Sequence, residues 1–199
     1  RRQRGDAPLE TIAIVDEDPE SQFFYPELLL FKTLFERRGV RAVIAPPETF
    51  EHSNGALICD TRSVDLVYNR QTDFAFEKVQ SAAIRSAYLA NDVVVTPNPR
   101  VHALLADKRN LIFLCDEDLL RQWNVDEYSI ELLAGAIPRT VVLDPDRADS
   151  FWADRKKLFF KPAAGYGSKA AYRGDKITRR VWEEILQNDY VAQEIVPPG

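Results

Sequence analysis

The sequence predicts an α/β protein, with a parallel sheet in its first half and a mixed α+β segment in its second. The first observation behind this prediction is the apolar run Thr-Ile-Ala-Ile-Val at 11–15, which is typical of a buried strand. The second is a set of apolar side chains four, seven and eleven positions on from Phe24, the period of one helix face. A further apolar run at 41–45 completes a strand–helix–strand unit, and such units pack as right-handed crossovers in parallel sheets.

The rest of the first half continues this alternation. A polar, turn-rich segment contains Ser-Asn-Gly at 53–55, a favoured tight-turn sequence, so we expect a small β-hairpin insertion there. Apolar runs at 64–68 and 92–96 predict the third and fourth strands. A Pro-Asn-Pro sequence then separates a first predicted domain, residues 1–97, from a second, residues 98–199.

A polar cluster follows the third predicted strand and precedes a helix that should end near Ala90. The cluster contains Asn69, Arg70 and Asp73, and ligands of parallel sheets bind beyond the carboxyl ends of the strands. Arg70 offers a planar guanidinium that suits a carboxylate. An equally good interpretation is that Arg70 and Asp73 pair with each other and cap the helix. The first strand also ends in acidic residues, for which we favour a solvated loop over a substrate contact: Asp16, Glu17 and Asp18.

The second half is predicted to combine helices with short strands. A helical apolar pattern begins at Arg100 and ends near Trp123, and it includes the charged segment Ala-Asp-Lys-Arg-Asn at 106–110. Such a segment is most simply a solvated helix face. Thr178 is placed to cap a later helix. The other elements that the pattern predicts are strands at 137–143 and 190–196 and a helix at 146–155.

A glycine-rich segment follows a short strand in this half. Leu-Phe-Phe at 158–160 predicts the strand, and Lys161 stands at its end. Gly165, Gly167 and Ser168 come next, and their backbone N–H groups can point at an anion because little side chain shields them. This combination of a fixed ammonium group and exposed N–H groups is suited to a nucleotide triphosphate.

Two common phosphate-binding motifs share features with the glycine-rich segment. The segment lacks the order of residues of a Walker A motif. Gly165, Gly167 and Ala170 do have dinucleotide-fingerprint spacing, but that motif must open a helix, and residues 170–175 read as a second strand and a turn. This disfavours an NAD(P)-dependent oxidoreductase. Two interpretations of the segment remain: a strand–loop–strand flap that closes over phosphates, and a plain hairpin with a flexible tip.

Composition excludes several classes of protein. The 199 residues are 45% hydrophobic and 11% aromatic, which is enough to fill a core. The net charge of −5 gives no overall attraction to nucleic acid or to anionic membranes, and the basic runs at 1–4 and 155–157 are short. No apolar stretch approaches a membrane span and no secretory signal is visible, so we expect a cytoplasmic protein. Two distant cysteines and two histidines favour neither disulfides nor a zinc site.

The order of four motifs along the second half resembles the ATP-grasp superfamily. The motifs are Asp-Lys-Arg-Asn-Leu around Lys108, Ile-Pro-Arg-Thr at 137–140, Phe-Lys-Pro around Lys161 with its glycine-rich flap, and Val-Ala-Gln-Glu-Ile at 191–195. The resemblance covers nearly the whole chain and is strongest for the branch near glutathionylspermidine synthase. It implies a Rossmann-like pre-ATP-grasp domain followed by the first, incomplete α+β subdomain of an ATP-grasp fold.

The resemblance also implies roles for individual residues. Lys108 and Lys161 would contact the α- and β-phosphates of ATP, with Lys161 acting in catalysis. The loop folded over the triphosphate would be Gly165, Tyr166, Gly167 and Ser168. The backbone groups hydrogen-bonded to the adenine edge would be those of Gln193, Glu194 and Ile195. The substrate-side cluster, by similarity to glutathione-synthetase-like proteins, would be Asn69, Arg70 and Asp73.

The implied activity is ATP-dependent carboxylate–amine ligation through an acyl phosphate. Its substrates would be a small-molecule or peptide carboxylate and an amine, without nucleic acid or membrane partners, and the sequence leaves the oligomeric state open. The residues that hold Mg²⁺ in the family belong to its second half, so we expect no metal ligands in this chain, weak ATP binding and no turnover by the chain alone. The Pro-Pro-Gly ending suggests a fragment. The alternative is an inactive ATP-grasp-like binding or regulatory module.

Overall fold

The computed structural model describes Gly5 and residues 7–197. The arginine-rich run at 1–4 and the last two residues of the Pro-Pro-Gly ending lie outside the described residues. The chain divides into two compact units, one up to His102 and the other from Ala103 onward. Among the described residues, no helix combines the length and the apolar character needed to span a bilayer.

A four-stranded parallel sheet forms the centre of the first unit, which confirms the predicted α/β class. Its strands, in spatial order, are β2 (Arg41–Ala45), β1 (Thr11–Val15), β6 (Leu66–Asn69) and β7 (Val94–Thr96). Helices α1 (Tyr25–Arg37) and α2 (Ala82–Ala90) belong to the same unit. All five residues of β1 are buried, as expected for a central strand of a parallel sheet.

The apolar face predicted for α1 is present. Leu28 is fully buried, and the rings of Phe31 and Phe35 pack edge-on against Tyr68 of β6. Phe24 instead precedes the helix and is largely exposed. The helix is followed by Gly39 at φ +76°, a left-handed conformation that glycine adopts without steric cost.

The predicted hairpin insertion is part of a three-stranded antiparallel sheet. Its strands are β3 (Glu51–Ser53), β4 (Ala56–Cys59) and β5 (Arg62–Val64). Asn54 and Gly55 form the turn with φ of 50° and 71°, as a two-residue hairpin loop requires. Val64 pairs with Leu57 in this small sheet, so the strand predicted at 64–68 is divided at Asp65.

The imidazole of His52 connects this insertion to α2. Its Nδ1 lies 2.8 Å from Ser86 Oγ on the helix, and its Nε2 lies 2.8 Å from an oxygen of Asp92 just beyond the helix. Both ring nitrogens therefore connect β3 to α2 and to the segment directly after it.

The second unit contains a four-stranded antiparallel sheet, and helices pack on one of its faces. The strands, in spatial order, are β10 (Tyr172–Arg173), β9 (Leu158–Pro162), β11 (Tyr190–Glu194) and β8 (Thr140–Val142). The helices that contribute to its core are α7 (Ala148–Asp154) and α8 (Arg179–Leu186). Thr178 caps α8 by accepting a hydrogen bond from the Val181 N–H, as predicted.

The single helix predicted between Arg100 and Trp123 is wrong. The structure has three short helices there: α3 (Pro99–Leu105), α4 (Asn110–Leu114) and α5 (Glu117–Gln122). The cause lies in two aspartates whose carboxylates hydrogen-bond to the backbone. Asp107 accepts from the Arg109 N–H, and Asp116 accepts from the Leu119 N–H and so caps α5.

A further helix, α6 (Glu127–Ala136), was not predicted from the sequence. Its N-cap is Asp126, whose carboxylate accepts hydrogen bonds from both the N–H and the hydroxyl of Ser129. An aspartate directly before an apolar periodic run is a helix-start signal, and it was present here in the sequence.

We predict that Gly174→Ala destabilises the second unit. A Cβ at this position would lie 2.0 Å from the carbonyl oxygen of Arg155 and 2.8 Å from that of Leu158, and backbone atoms cannot move aside without disturbing β9. The free energy of unfolding should fall by about 1–3 kcal/mol. Urea titration followed by tryptophan fluorescence reports on this unit, because all three tryptophans, Trp123, Trp152 and Trp182, lie in it.

The matched control is Gly135→Ala on α6, where an added Cβ would have no heavy atom within 4 Å apart from those of its own helix backbone and chain neighbours. This change should raise the free energy of unfolding by roughly 0.5–1 kcal/mol, because alanine loses less backbone entropy in a helix. Equal stability of the Gly174→Ala and Gly135→Ala proteins would contradict the close approach at Gly174.

Candidate functional site

Lys161 lies on the face of the antiparallel sheet that is opposite α7 and α8. Side chains alternate along β9 and β11, so Phe160 and Ala192 point into the core while Lys161 and Gln193 lie on the other face. Lys161 is half-buried, with its ammonium nitrogen 5.4 Å from the centre of the Phe159 ring. The ammonium group donates a hydrogen bond to Gln193 Oε1.

Lys108 lies in the turn between α3 and α4 and reaches the same region. Its backbone N–H donates to the carbonyl oxygen of Ala163 at 2.9 Å, which ties the turn to the end of β9. Its ammonium group donates to the carbonyl oxygen of Gly165 at 3.0 Å. The charged turn predicted as a solvated helix face therefore holds one of its lysines against the glycine-rich loop.

Burial lowers the pKa of Lys108 below the ordinary lysine value, and the positive charge of Lys161 lowers it further. The carboxylate of Asp107 acts in the opposite direction but does not reverse the shift. The two ammonium groups are thus close enough to repel each other. An anion placed between them would relieve that repulsion.

The glycine-rich loop is exposed and joins β9 to β10. Gly167, Ser168 and Ala170 all have positive φ, at 60°, 56° and 54°. Such turns direct backbone N–H groups into a concave surface that binds anions. The left-handed conformation costs non-glycine residues about 1–2 kcal/mol each, and strain of this kind is common at ligand sites. Lys169 adds a further ammonium group, 4.9 Å from the centre of the Tyr166 ring.

The lysines and the loop enclose a pocket of about 430 Å³. The volume is in the range of small-molecule sites. Its lining residues are Lys108, Phe159, Lys161, Pro162, residues 165–169 and Ala171. Ammonium groups and exposed backbone N–H groups are the chemistry that binds phosphate groups. Within residues 7–197, no group of three His, Cys, Asp or Glu side chains is placed to hold a metal ion.

Two of the residues predicted at the adenine edge, Glu194 and Ile195, do not line the pocket that contains the lysines. The N–H groups of Glu194 and Ile195 donate to the carbonyl oxygens of Arg139 and Lys157, both at 2.9 Å, so these two N–H groups already have backbone partners. Glu194 and Ile195 line a different pocket, of about 540 Å³, together with Arg139. Gln193 contacts Lys161 through its side chain, a contact that the sequence did not indicate.

The predicted substrate cluster lies at the carboxyl end of β6 in the first unit. Arg70 pairs with Glu27 at 3.1 Å, and this replaces the Arg70–Asp73 pair left open by the sequence. Asp73 is buried and accepts hydrogen bonds from the Glu77 and Lys78 N–H groups and the Ser81 hydroxyl. Asp73 therefore organises the approach to α2 rather than facing a ligand.

Two buried side-chain amide nitrogens near this cluster lack hydrogen-bond partners among the described residues. Asn69 is 4% exposed and Gln71 is 1% exposed, and neither Asn69 Nδ2 nor Gln71 Nε2 has a hydrogen-bond partner among the described residues. Such groups are rare in folded proteins.

The acidic segment after β1 borders the same sheet edge. Burial raises the pKa of Asp16, and the nearby positive charge of Arg70 partly offsets this effect. Glu17 forms an ion pair with Lys78, with 2.6 Å between the charged atoms. Asp18 has a left-handed backbone at the start of the following turn. Glu17 thus contributes to holding the loop, and Asp16 is the acidic residue of the three that interacts with Arg70.

Comparison with known proteins gives matches to solved structures only. No protein-family model matches the chain, and no curated protein matches its sequence. The structure of ATP-grasp ligase PsnB complexed with minimal precursor, Mg and ADP is 18% identical, with a TM-score of 0.51 over 94% of this chain and 65% of that one. D-cycloserine synthetase DcsG is 16% identical, with a TM-score of 0.52 over 94% and 59%. D-alanyl-alanine synthetase A from Vibrio cholerae is 11% identical, with a TM-score of 0.50 over 95% and 61%.

The chain therefore spans just under two thirds of the length of these ligases, 65% in the first case. None of the three is a glutathionylspermidine synthase, so that narrower resemblance stays a prediction. At these identities the likeness concerns the fold, and it agrees with a Rossmann-like unit followed by a partial α+β subdomain. Over the part of those proteins that it covers, the chain shares the fold of ATP-grasp ligase PsnB.

Proposed function

We propose that the second unit binds ATP, with the ammonium groups of Lys108 and Lys161 and the loop at 165–168 on the phosphates. The observation that carries this proposal is that both lysines line one pocket of about 430 Å³ beneath a loop with left-handed residues. In the free chain both ammonium groups donate to neutral oxygens, those of Gly165 and Gln193. Each ammonium group has three N–H donors, so it can keep this contact and also donate to a phosphate oxygen, which is a stronger acceptor because it is charged.

We further propose that the complete protein is a carboxylate–amine ligase. ATP supplies the phosphoryl group: a substrate carboxylate oxygen attacks the γ-phosphorus and the bond to ADP breaks. An amine nitrogen then attacks the acyl carbon, the bond to phosphate breaks, and the amine loses a proton. In phosphoryl transfer a protein acts mainly by positioning and by stabilising developing charge. Lys161 would supply that charge from this chain, and its removal typically costs a working enzyme about a hundredfold or more in rate.

The substrate would be recognised at the carboxyl edge of the first unit's parallel sheet. Arg70 is suited to this role because its side chain is 30% exposed and that of its present partner, Glu27, is 39% exposed, so a substrate carboxylate can exchange with Glu27. The PsnB structure contains a minimal precursor, and the names of the other two neighbours refer to small molecules. A peptide or small-molecule carboxylate therefore fits this proposal.

We predict that Lys161→Ala and Lys108→Ala each weaken binding of Mg-ATP to the chain. Each change removes one charge-assisted hydrogen bond, so the dissociation constant should rise by roughly 10- to 100-fold. Weak binding is accessible to an NMR titration, which follows amide shifts of the loop at 165–168 as Mg-ATP is added to millimolar concentration. Lys156→Ala is the matched control, because this exposed lysine of the same unit does not line the pocket.

Binding that is equal in the Lys156→Ala and Lys161→Ala proteins would contradict the assignment of the pocket. Complete absence of nucleotide-dependent shifts in the unaltered chain would contradict ATP binding itself and would favour an inactive ATP-grasp-like module.

We also predict that nucleotide binding takes up protons at alkaline pH. Since the pKa of Lys108 is lowered in the free chain, this lysine loses its proton at a lower pH than the ordinary value of about 10.4. Phosphates favour the charged form, so affinity should fall as pH rises through the free-chain pKa, and binding in that range should protonate Lys108. Calorimetry in two buffers of different ionisation enthalpy measures the uptake. The Lys108→Ala protein should lose it, and unchanged uptake in that variant would refute the role of Lys108.

A further inference from the structure

A buried polar pair lies beside Lys161 on the same face of the antiparallel sheet. Gln193 is 7% exposed and Thr140 is 2% exposed. The two residues are directly opposite each other in the β8–β11 register. Gln193 is also opposite Phe159 in the β9–β11 register, which makes it a diagonal neighbour of Lys161 on the same face. Sheet pairing therefore fixes all three side chains relative to one another.

The hydrogen bonds of this pair have a defined direction. The Thr140 hydroxyl has a single proton, which it donates to the carbonyl oxygen of Pro138 at 2.9 Å. Thr140 Oγ1 must then accept from its other neighbour, and Gln193 Nε2 donates to it at 2.9 Å. The glutamine amide is consequently held with its oxygen toward the Lys161 ammonium group. The reversed amide would bring its N–H groups against that ammonium group and its oxygen against a hydroxyl whose proton is already used.

We propose that Gln193, oriented by Thr140, is a positioning residue that aims Lys161 into the phosphate pocket; this rests on the proposed ATP site. A lysine has a long flexible stem, and holding it in place before the nucleotide arrives reduces the entropy lost on binding. A neutral amide oxygen does this without cancelling the positive charge of the ammonium group. A carboxylate at the same position would hold Lys161 but would also repel the phosphates. The side chain of Gln193, rather than its backbone, is thus its functional part.

Three variants separate these contributions. Gln193→Leu removes the acceptor at similar volume, and Gln193→Glu keeps an acceptor but adds a negative charge. Thr140→Val preserves the shape of the side chain but removes the hydroxyl that orients the amide. Gln187→Leu and Thr33→Val are the controls, because Gln187 is exposed at the end of α8 and the Thr33 hydroxyl donates to a carbonyl oxygen within α1.

The first measurement needs no nucleotide. In a ¹H–¹⁵N spectrum of lysine side chains, the Lys161 ammonium signal is identified by its loss in Lys161→Arg. Hydrogen exchange of this group should be at least about tenfold faster in Gln193→Leu, because its hydrogen-bond acceptor is gone. Exchange should rise less in Thr140→Val and stay slow in Gln193→Glu and in both controls. Unchanged exchange in Gln193→Leu would overturn the proposal.

The second measurement is Mg-ATP affinity by NMR titration. Gln193→Leu should weaken binding by about fivefold, and Gln193→Glu should weaken it as well although Lys161 stays ordered. In a Lys161→Ala background, Gln193→Leu should change affinity by less than about twofold, because the glutamine acts through the lysine. A full additional loss in that background would show that Gln193 acts on the nucleotide independently and would overturn the positioning role.

The two measurements also separate the failure of this proposal from failure of the ATP site. If the unaltered chain shows no nucleotide-dependent shifts, the ATP site is refuted, and so is the proposal that depends on it. The exchange data would still show whether Gln193 holds the Lys161 ammonium group. If Mg-ATP binds but Gln193→Leu leaves both Lys161 exchange and affinity unchanged, the ATP site stands and the positioning role of Gln193 is refuted.

Discussion

The alternation of side chains along β9 and β11 is the constraint on which the site depends. One face of these strands carries Phe160 and Ala192 into the core formed with α7 and α8, and the other face carries Lys161 and Gln193. A shift of one residue in the pairing would send the lysine into the apolar core and expose the phenylalanine. Because the core fixes the register, it also fixes which side chains line the pocket. The packing of the second unit and the position of its ammonium group are therefore consequences of one pattern.

The pocket also contains two unfavourable features in the free chain, repulsion between like charges and a strained backbone. Two ammonium groups share a partly buried pocket, and the pKa of Lys108 is lowered as a result. Positive φ at Ser168 and Ala170 adds backbone strain in the same loop. Neither feature contributes to packing, and both would be relieved or used by a bound polyanion. Departures from local optimality of this kind are expected where a protein binds ligands.

The sequence predicts much of the fold because the relevant patterns are local. Each strand or helix of the strand–helix–strand unit is indicated by a pattern of about a dozen residues or fewer, and so is the strand that contains Lys161. The structure confirms these elements. The turn at Lys108 was predicted wrongly because the side chains of Asp107 and Asp116 compete with helical hydrogen bonds, which apolar periodicity does not register. The contact of Gln193 with Thr140 joins residues 53 positions apart and becomes visible only when the strands are paired.

Some buried polar groups of the chain have their hydrogen bonds satisfied, and two do not. Thr140 donates to Pro138 and accepts from Gln193, whose amide oxygen accepts from the Lys161 ammonium group. Asp73 is likewise satisfied, by backbone N–H groups and a hydroxyl. Asn69 and Gln71 each keep a buried amide nitrogen with no partner among the described residues, beside Arg70 at the carboxyl edge of the parallel sheet. An unsatisfied buried donor costs about 1–3 kcal/mol, and the chain does not avoid this cost here although it satisfies Asp73 nearby. A small polar molecule or an internal water that accepts hydrogen bonds from these two amide nitrogens would remove that cost, so the carboxyl edge of the parallel sheet is energetically suited to hold one.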